Sequence, residues 1–264
     1  MPRPIKNPRV FFIRRTISAL ARHPVQSLNA FYHPIRDIIN CGAQRSGSTL
    51  LHNIIQEILF IHYRSSYNFC KNERDYLSLQ KNSMNYNFIK IHAYSPVIAR
   101  RVAAGRSIGF FTHRDLRDIM ASKIQKGSIE SVEAFISSGR LRRLVNTALL
   151  YASTNNMNVF SYDQIMDDKQ KTIIEAASVL KIKLTNQEID HISDKTSLTN
   201  TKAKLQKTTF EKHGNNYVDK QSGLHSNHIN DPATGKWKSV LSSREEKMII
   251  NEAKDYFIFF GYDC

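Results

Sequence analysis

A short glycine-containing stretch near the start of the chain has residue types suited to binding an anion. Residues Gly42 to Leu51 read GAQRSGSTLL, with an arginine between two glycines and hydroxyl residues around the second one. The glycines allow a tight turn that presents N–H groups inward, the hydroxyls add donors, and Arg45 adds a planar cation. A nucleoside-triphosphatase loop has lysine after its second glycine, and here Ser48 stands there. The stretch predicts a site for a phosphate-like group, with a loop that only caps a helix as the alternative.

The elements around this stretch place it between a buried strand and an amphipathic helix. Asp37–Cys41 is a short apolar run, and Thr49–Ile61 repeats apolar residues at helical spacing. Further strands are predicted at Asn87–His92, Ser107–His113 and Asn158–Tyr162, and helices at Pro96–Ala104, Asp115–Lys126, Val132–Thr154, Gln170–Leu180, Gln187–Ile192 and Ser242–Phe259. This alternation predicts one α/β domain with a mostly parallel central sheet, helices on both faces and ligands at the carboxyl ends of the strands. The polar residues Thr199–Lys238 are predicted to form a long loop.

The loop resembles that of the sulfotransferase superfamily, whose members move a sulfuryl group from 3′-phosphoadenosine 5′-phosphosulfate (PAPS) to an alcohol or amine. Their 5′-phosphosulfate loop reads Lys or Arg, Ser, Gly and two hydroxyl residues. Arg45, Ser46, Gly47, Ser48 and Thr49 match it throughout. The resemblance implies a PAPS-dependent enzyme with a phosphate-loop-like fold, in which these residues hold the 5′-phosphosulfate. A sulfuryl group carries less charge than a terminal phosphoryl group, so neither the missing lysine nor a metal ion is expected to be needed.

A second motif resembles the 3′-phosphate segment of the same family. Phe110 to Ser122 read FFTHRDLRDIMAS, a predicted strand followed by Arg114 and, eight residues later, Ser122. Arg114 leaves the carboxyl end of the strand and Ser122 lies about two helical turns further on. The resemblance implies that these two residues grip the 3′-phosphate. The alternative is that Arg114 and Asp118 are ordinary surface charges.

A lysine and a histidine end the predicted strand before that motif. Strand alternation puts Lys90 and His92 on one face. Similar small-molecule sulfotransferases have Lys-x-His here, and a histidine suits removal of the proton from an attacking hydroxyl. The resemblance implies His92 as the base, with Lys90 or Arg45 stabilising charge at the bridging oxygen. A structural histidine is the alternative, in which case Glu57 or Glu73 would be the reserve base.

The expected surroundings of the adenine are only partly present. Tyr162 ends the fourth predicted strand, where the family often has an aromatic residue near the adenine, and a core tyrosine is the alternative. Small-molecule members carry a tryptophan directly after the loop threonine, and this chain has Leu50.

The carboxyl-terminal part of the 3′-phosphate site also differs from the family pattern. Residues Gly235 to Lys238 read GKWK and resemble the element that follows the phosphate clamp. The family places Arg-Lys-Gly ahead of it, whereas this chain has Asn-Asp-Pro at 230–232. His228, Lys236 and Lys238 are the candidates to complete the clamp.

The chain is strongly basic, which implies an anionic partner. It carries 38 Lys+Arg against 23 Asp+Glu, a net charge of +15. Residues 1–36 form a basic segment ahead of the domain predicted over 37–264. This segment is interpreted as a helix packed on the domain, as a peripheral contact with an anionic membrane or acidic substrate, or as a targeting segment. The three scattered cysteines favour a reducing compartment, and we expect a cytoplasmic location, with membrane association as the alternative.

Taken together, these features predict a PAPS-dependent sulfotransferase that acts on an acceptor hydroxyl. The arginine loop and the charge favour a carbohydrate or a polar lipid over an apolar acceptor. A diverged kinase or triphosphatase is a second hypothesis, against which no lysine follows Gly47. A basic module that binds a membrane or nucleic acid is the third. No sheet face interleaves aromatic with basic residues, so nucleic acid is not a predicted partner.

Overall fold

The computed structural model describes residues 37–63, 65–79, 86–207, 211–213, 216–218 and 233–264. The predicted basic segment 1–36 lies outside these residues, as do His228 and the Asn-Asp-Pro stretch at 230–232. Within the described ranges, no helix combines the length and the apolar character needed to cross a membrane.

Five parallel strands form the central sheet in the order β2-β3-β1-β4-β5. Their bounds are Asp37–Gly42 for β1, Ser65–Cys70 for β2, Tyr86–Ile91 for β3, Ser107–His113 for β4 and Met157–Ser161 for β5. The central strand β1 pairs with β3 on one side and β4 on the other. Because the chain order reverses at β1, ligands are expected at the carboxyl ends of these three strands. The predicted α/β class and parallel sheet are confirmed.

Helices cover both faces of the sheet. The described residues form twelve α-helices: α1 Ser48–His62, α2 Glu73–Ser78, α3 Pro96–Ala103, α4 Leu116–Gln125, α5 Val132–Ser137, α6 Arg140–Ala152, α7 Tyr162–Asp167, α8 Lys169–Val179, α9 Asn186–Lys195, α10 Leu198–Lys207, α11 Ser243–Glu252 and α12 Lys254–Phe260. A short 3₁₀ helix spans Lys236–Ser239, and an antiparallel pair is formed by β6 Glu211–His213 and β7 Asn216–Val218.

Strand alternation divides the core between the two faces. Ile39 and Cys41 of β1 pack into one apolar cluster, which α3, α4, α6 and α12 cover. Ile38 points to the opposite face and joins the cluster that α1 and α8 cover. All three side chains are fully buried. A central parallel strand needs apolar residues on both faces, which is why this run was recognisable in the sequence.

The amino edge of the sheet contains a buried charge that is fully paired. Asp37 accepts from the hydroxyl of Tyr76 at 2.6 Å and from the amide of Asn87 at 3.1 Å. Nε of Arg101 lies 3.6 Å from the same carboxylate, and neither charged side chain is exposed. This network fixes the start of β1.

Several elements differ from the sequence prediction. The strand β2 was missed because it is an edge strand, with largely half-buried residues and no apolar run. The prediction of a loop over Thr199–Lys238 is wrong for α10, whose described side chains at 198–203 are half-buried or exposed and mostly polar. The helices predicted at 132–154 and 242–259 are each divided in two, at Ser138-Gly139 and at Ala253. The helix α11 starts with a capping box formed by Ser242 and Glu245.

Candidate active site

The glycine loop connects β1 to α1 at the carboxyl edge of the sheet. Gly42 and Gly47 have φ angles of 154° and 85°. A Cβ at Gly42 would collide with Thr112, and one at Gly47 would lie 2.7 Å from the ring of Tyr162. Arg45 has a φ of 75°, a conformation that costs a non-glycine residue about 1–3 kcal/mol. Strain of this kind is typical of functional loops, and here it fixes the position of a cation.

The loop presents the uncapped start of a helix. Helix α1 begins at Ser48 after Gly47, and no side chain caps its first N–H groups. These groups and the positive end of the helix dipole favour an anion. The hydroxyl of Ser46 donates to the carbonyl of Ala43 at 2.7 Å and lies 2.9 Å from the hydroxyl of Thr112. Ser46 therefore shapes the loop, while the helix start faces a ligand.

Lys90 reaches the loop from the neighbouring strand β3. Its Nζ donates to Oγ1 of Thr49 at 2.6 Å, and its side chain is only 2% exposed. Burial lowers the pKa of Lys90 from 10.5 to about 7. No carboxylate among the described residues pairs with this ammonium group. A bound anion would stabilise the charged form of this buried lysine.

His92 follows the end of β3 and is oriented by the loop itself. Its Nδ1 lies 2.6 Å from the carbonyl oxygen of Gly42. A carbonyl only accepts hydrogen bonds, so Nδ1 carries the proton and the neutral ring has its lone pair on Nε2. The ring is partly exposed and lies edge-on to Phe69, with centroids 5.8 Å apart. This tautomer is the one that a general base requires.

Arg114 lies at the end of β4, as its position after the strand predicted. Its guanidinium stacks on the ring of Tyr162, with Cζ 3.9 Å from the centroid. One terminal nitrogen donates to the carbonyl of Ala233 at 2.7 Å and lies 3.4 Å from Asp118. The side chain is 4% exposed, and its Nε is buried with no hydrogen-bond partner among the described residues. Burial raises the pKa of Tyr162, which keeps its hydroxyl protonated.

The two motifs predicted to bind opposite ends of one ligand meet in space. Nε of Arg45 donates to the hydroxyl of Ser122 at 2.8 Å, across 77 residues of chain. Burial lowers the pKa of Arg45, and the nearby charge of Arg114 lowers it further. Tyr162 lies between the two motifs. Its ring contacts Arg114 of the second motif and fills the space where Gly47 of the loop has no side chain. The loop and the 3′-phosphate motif therefore form one continuous site.

Asp118 holds the carboxyl-terminal segment against this site, a role that the sequence did not reveal. Its carboxylate accepts from the backbone N–H groups of Gly235 at 2.9 Å and Trp237 at 3.1 Å. The ring of Trp237 stacks under Arg117, with Cζ 4.2 Å from the centroid. Lys236 lies between the two anchored residues. Lys238 is exposed, with Nζ 5.7 Å from the indole of Trp237.

Two further lysines border the loop and were missed, Lys123 of α4 and Lys126 at its carboxyl-terminal cap. Burial lowers the pKa of Lys123 to about 8, with further lowering by Arg45 and Arg140. Burial also lowers the pKa of Lys126 to about 8, with further lowering by Arg45 and Lys236. Lys126 comes four residues after Ser122 and so shares its helix face, a spacing that would have identified it.

The reserve bases lie in other environments. Glu73 accepts from the hydroxyl of Ser95 at 2.8 Å and from the backbone N–H of Val97 at 3.2 Å, and so stabilises the start of α3. Glu57 lies nine residues into α1, about 14 Å along the helix from the loop. Of the candidate bases, His92 is the one that the loop itself orients. Among the residues described, no group of three or more His, Cys, Asp or Glu side chains is arranged to hold a metal ion.

Several solved structures share this fold at low sequence identity. Retinol dehydratase in complex with androsterone and PAP (3′,5′-adenosine diphosphate) superposes with a TM-score of 0.60 at 16% identity, over 92% of this chain and 85% of that chain. Retinol dehydratase with retinol and PAP gives 0.62 at 15%, over 89% and 86%. A mouse sulfotransferase complexed with PAP gives 0.65 at 14%, over 88% of each chain.

Comparison with curated proteins gave no significant match. A family model described as the sulfotransferase domain matches residues 112–249, just over half of the chain. The match begins at the end of β4 and includes Arg114, Ser122, Tyr162 and the Gly235–Lys238 element. The chain therefore belongs to the sulfotransferase domain family.

Proposed function

We propose that this sulfotransferase uses PAPS as its donor and transfers the sulfuryl group to a hydroxyl of a carbohydrate or polar lipid. The observation that carries the proposal is the meeting of two cationic motifs, where Arg45 of the loop bonds Ser122 of α4 at 2.8 Å. An adenosine carrying phosphate groups at both its 3′ and 5′ ends needs two anion sites with an aromatic surface between them. The PAP bound to all three structural neighbours supports the same donor.

The residues at the site fit such a donor. The uncapped N–H groups at the start of α1, with Ser48, Thr49 and Arg45, suit the 5′-phosphosulfate. Arg114 and Ser122 suit the 3′-phosphate, because the Ser122 hydroxyl accepts from Arg45 and keeps its own proton to donate. When bound, PAPS supplies the sulfuryl group that is transferred.

Other residues complete the proposed donor site. Tyr162 offers its ring beside the loop for the adenine, and its face toward Arg114 is already occupied by the guanidinium. Lys236 and Lys126 lie close enough to influence each other electrostatically, which puts Lys236 within reach of the same anions. Asp118 positions this segment through the backbone of Gly235 and Trp237.

His92 is proposed to act as the general base. Its Nδ1–H is held by the Gly42 carbonyl, so Nε2 can take the proton of an acceptor hydroxyl as it attacks. Lys90 and Arg45 add positive charge where charge develops on the bridging oxygen. The neighbours bound to retinol and androsterone support an alcohol as the acceptor. The basic charge of +15 supports a polar one.

Calorimetry with PAP and a transfer assay with labelled sulfate test the proposal. Arg114→Gln should weaken PAP binding about 10–100-fold, because one charge-assisted contact is lost. His92→Ala should leave PAP affinity within about threefold and remove turnover, whereas the control His62→Ala, at the far end of α1, should change neither. A protein that binds ATP–magnesium but not PAP would contradict the proposal. A transfer screen across glycans, lipids and phenols identifies the acceptor.

A further inference from the structure

A cavity of about 320 Å³ opens beside the loop, and Arg114 is not among the residues that line it. Gln44 and His92 line one wall, and α4, α5 and α6 supply the others. The volume is in the range of small-ligand sites. Because the proposed base lines this cavity, it is where an acceptor hydroxyl would have to lie.

The lining of the cavity is cationic. Lys123, Arg140 and Arg143 border it, and no carboxylate side chain does among the described residues. Lys123 is 7% exposed and its Nζ donates to Oε1 of Gln44 at 3.2 Å, which points the ammonium group at the loop. Phe135 supplies an apolar surface, with Cζ of Arg140 lying 4.8 Å from its ring centroid. A neutral acceptor would leave these three positive charges without a negative group to balance them.

The arginines of α6 stand where a helix disfavours positive charge. Its first turn contains Arg140, Arg142 and Arg143 and no acidic residue, although a helix start favours anions. Arg142 is paired with Glu252 at 3.0 Å and with Asp255 at 3.4 Å, so it ties α6 to the carboxyl-terminal helices.

The other two arginines are not used in this way. Nε of Arg140 donates to the neutral hydroxyl of Ser138 at 3.0 Å. Arg143 is exposed, and neither it nor Arg140 has a carboxylate partner among the described residues. Unpaired charges held against the helix dipole are explained if a ligand supplies the missing anion.

We propose that the acceptor is itself anionic, with a carboxylate, sulfate or phosphate group bound by Lys123, Arg140 and Arg143 while its reacting hydroxyl lies against His92. This inference rests on the proposed sulfotransferase reaction and names the substrate class of the same site. Two sources fit this chemistry, an acidic sugar and the headgroup of an anionic lipid.

Binding to the PAP complex of the full chain tests the inference. The sugar probes are a uronic-acid disaccharide and its carboxyl-reduced counterpart, followed by calorimetry. The lipid probes are vesicles of phosphatidylglycerol and of phosphatidylcholine, followed by sedimentation. We expect at least one acidic probe to bind about tenfold or more tightly than its neutral counterpart. The pair that shows the preference identifies the source.

Variants of the two arginines assign the preference to the cavity. Arg140→Gln/Arg143→Gln should weaken acidic-probe binding about tenfold and leave PAP affinity within about twofold. Arg140→Lys/Arg143→Lys should restore much of it, and Arg143→Glu, at an exposed position, should abolish the preference without disturbing the fold. The control Arg106→Gln removes one arginine charge at the amino edge of the sheet, about 20 Å away, and should have no effect.

The outcomes separate this inference from the proposed function. If the wild-type protein does not bind PAP, the proposed function fails. If it binds PAP but shows no preference for either acidic probe, or keeps that preference in Arg140→Gln/Arg143→Gln, only the anionic acceptor is overturned.

Discussion

Lys90 offers a sharp test of the donor site, because its ammonium group is buried beside the loop, where its hydrogen-bond partner among the described residues is the Thr49 hydroxyl. With a pKa of about 7, the group is about half protonated at pH 7 in the free protein. A bound anion favours the charged form and raises the pKa. Binding of PAP should therefore take up about 0.5 proton at pH 7 and about 0.9 proton at pH 8.

The size of the pH effect follows from the same shift. If the anion restores the ordinary pKa of 10.5, affinity is highest below pH 7 and falls about tenfold between pH 6 and pH 8, or about 1.4 kcal/mol. Because binding raises the pKa of Lys90, the affinity for PAP falls as the pH rises through the pKa that Lys90 has in the free protein. Lys90→Met should remove this component and lower affinity most at pH 6.

Calorimetry at pH 6, 7 and 8, in buffers with different ionisation enthalpies, measures both affinity and proton uptake. The phosphate groups of PAP titrate near pH 6, and Lys123 and Lys126 lie close to Arg45, so all of these contribute in every variant. The difference between wild type and Lys90→Met isolates Lys90. Lys171→Met, on the outer face of α8, should behave as wild type. Equal pH dependence and proton uptake in Lys90→Met and wild type would refute the reasoning.

The loop glycine, the aspartate that holds segment 233–239 and the reserve base each give a further prediction. Gly47→Ala should abolish measurable PAP binding, because a Cβ there lies 2.7 Å from an aromatic ring; Gly105→Ala has similar backbone strain in open space and should bind PAP normally. Asp118→Asn should weaken PAP binding about tenfold and speed hydrogen exchange at the amides of 235 and 237, which unchanged exchange would contradict. Glu73→Gln should keep full turnover and lower Tm by about 2–4 °C, whereas lost turnover at unchanged Tm would make Glu73 the base.

The parts of the fold that were predictable from the sequence are mainly those in which the residue types reflect how deeply the element is buried. The strands β1, β3 and β4 lie inside the sheet, so both of their faces are apolar, and the glycine loop follows directly from β1. The edge strand β2 and the surface helix α10 contain polar residues because little of either is buried, and no local pattern distinguished them from loops. The other edge strand, β5, is also largely half-buried, but it was predicted because Val159 and Phe160 are residue types that favour strands.

The site followed the same division. Arg45, Arg114 and Ser122 were predicted from motifs, but their contact spans 77 residues and depends on how β1 and β4 pair. The structural role of Ser46 could not be predicted from the motif, because its hydroxyl bonds the carbonyl of Ala43 and the hydroxyl of Thr112. Cavity residues such as Arg140 belong to no motif. They reach the loop only because α6 runs antiparallel to the strands and begins at their carboxyl edge.

The distribution of charge over the sheet links donor and acceptor binding. At the amino edge Asp37 balances Arg101, whereas at the carboxyl edge cations lower one another's pKa. Lys123 is influenced by Arg45 on the donor side and by Arg140 on the acceptor side. Two unit negative charges 5 Å apart repel by about 3 kcal/mol at an effective dielectric constant of 20. A lysine between the two positions offsets that repulsion, so a cationic bridge is what an enzyme needs to bring an anionic acceptor to an anionic donor.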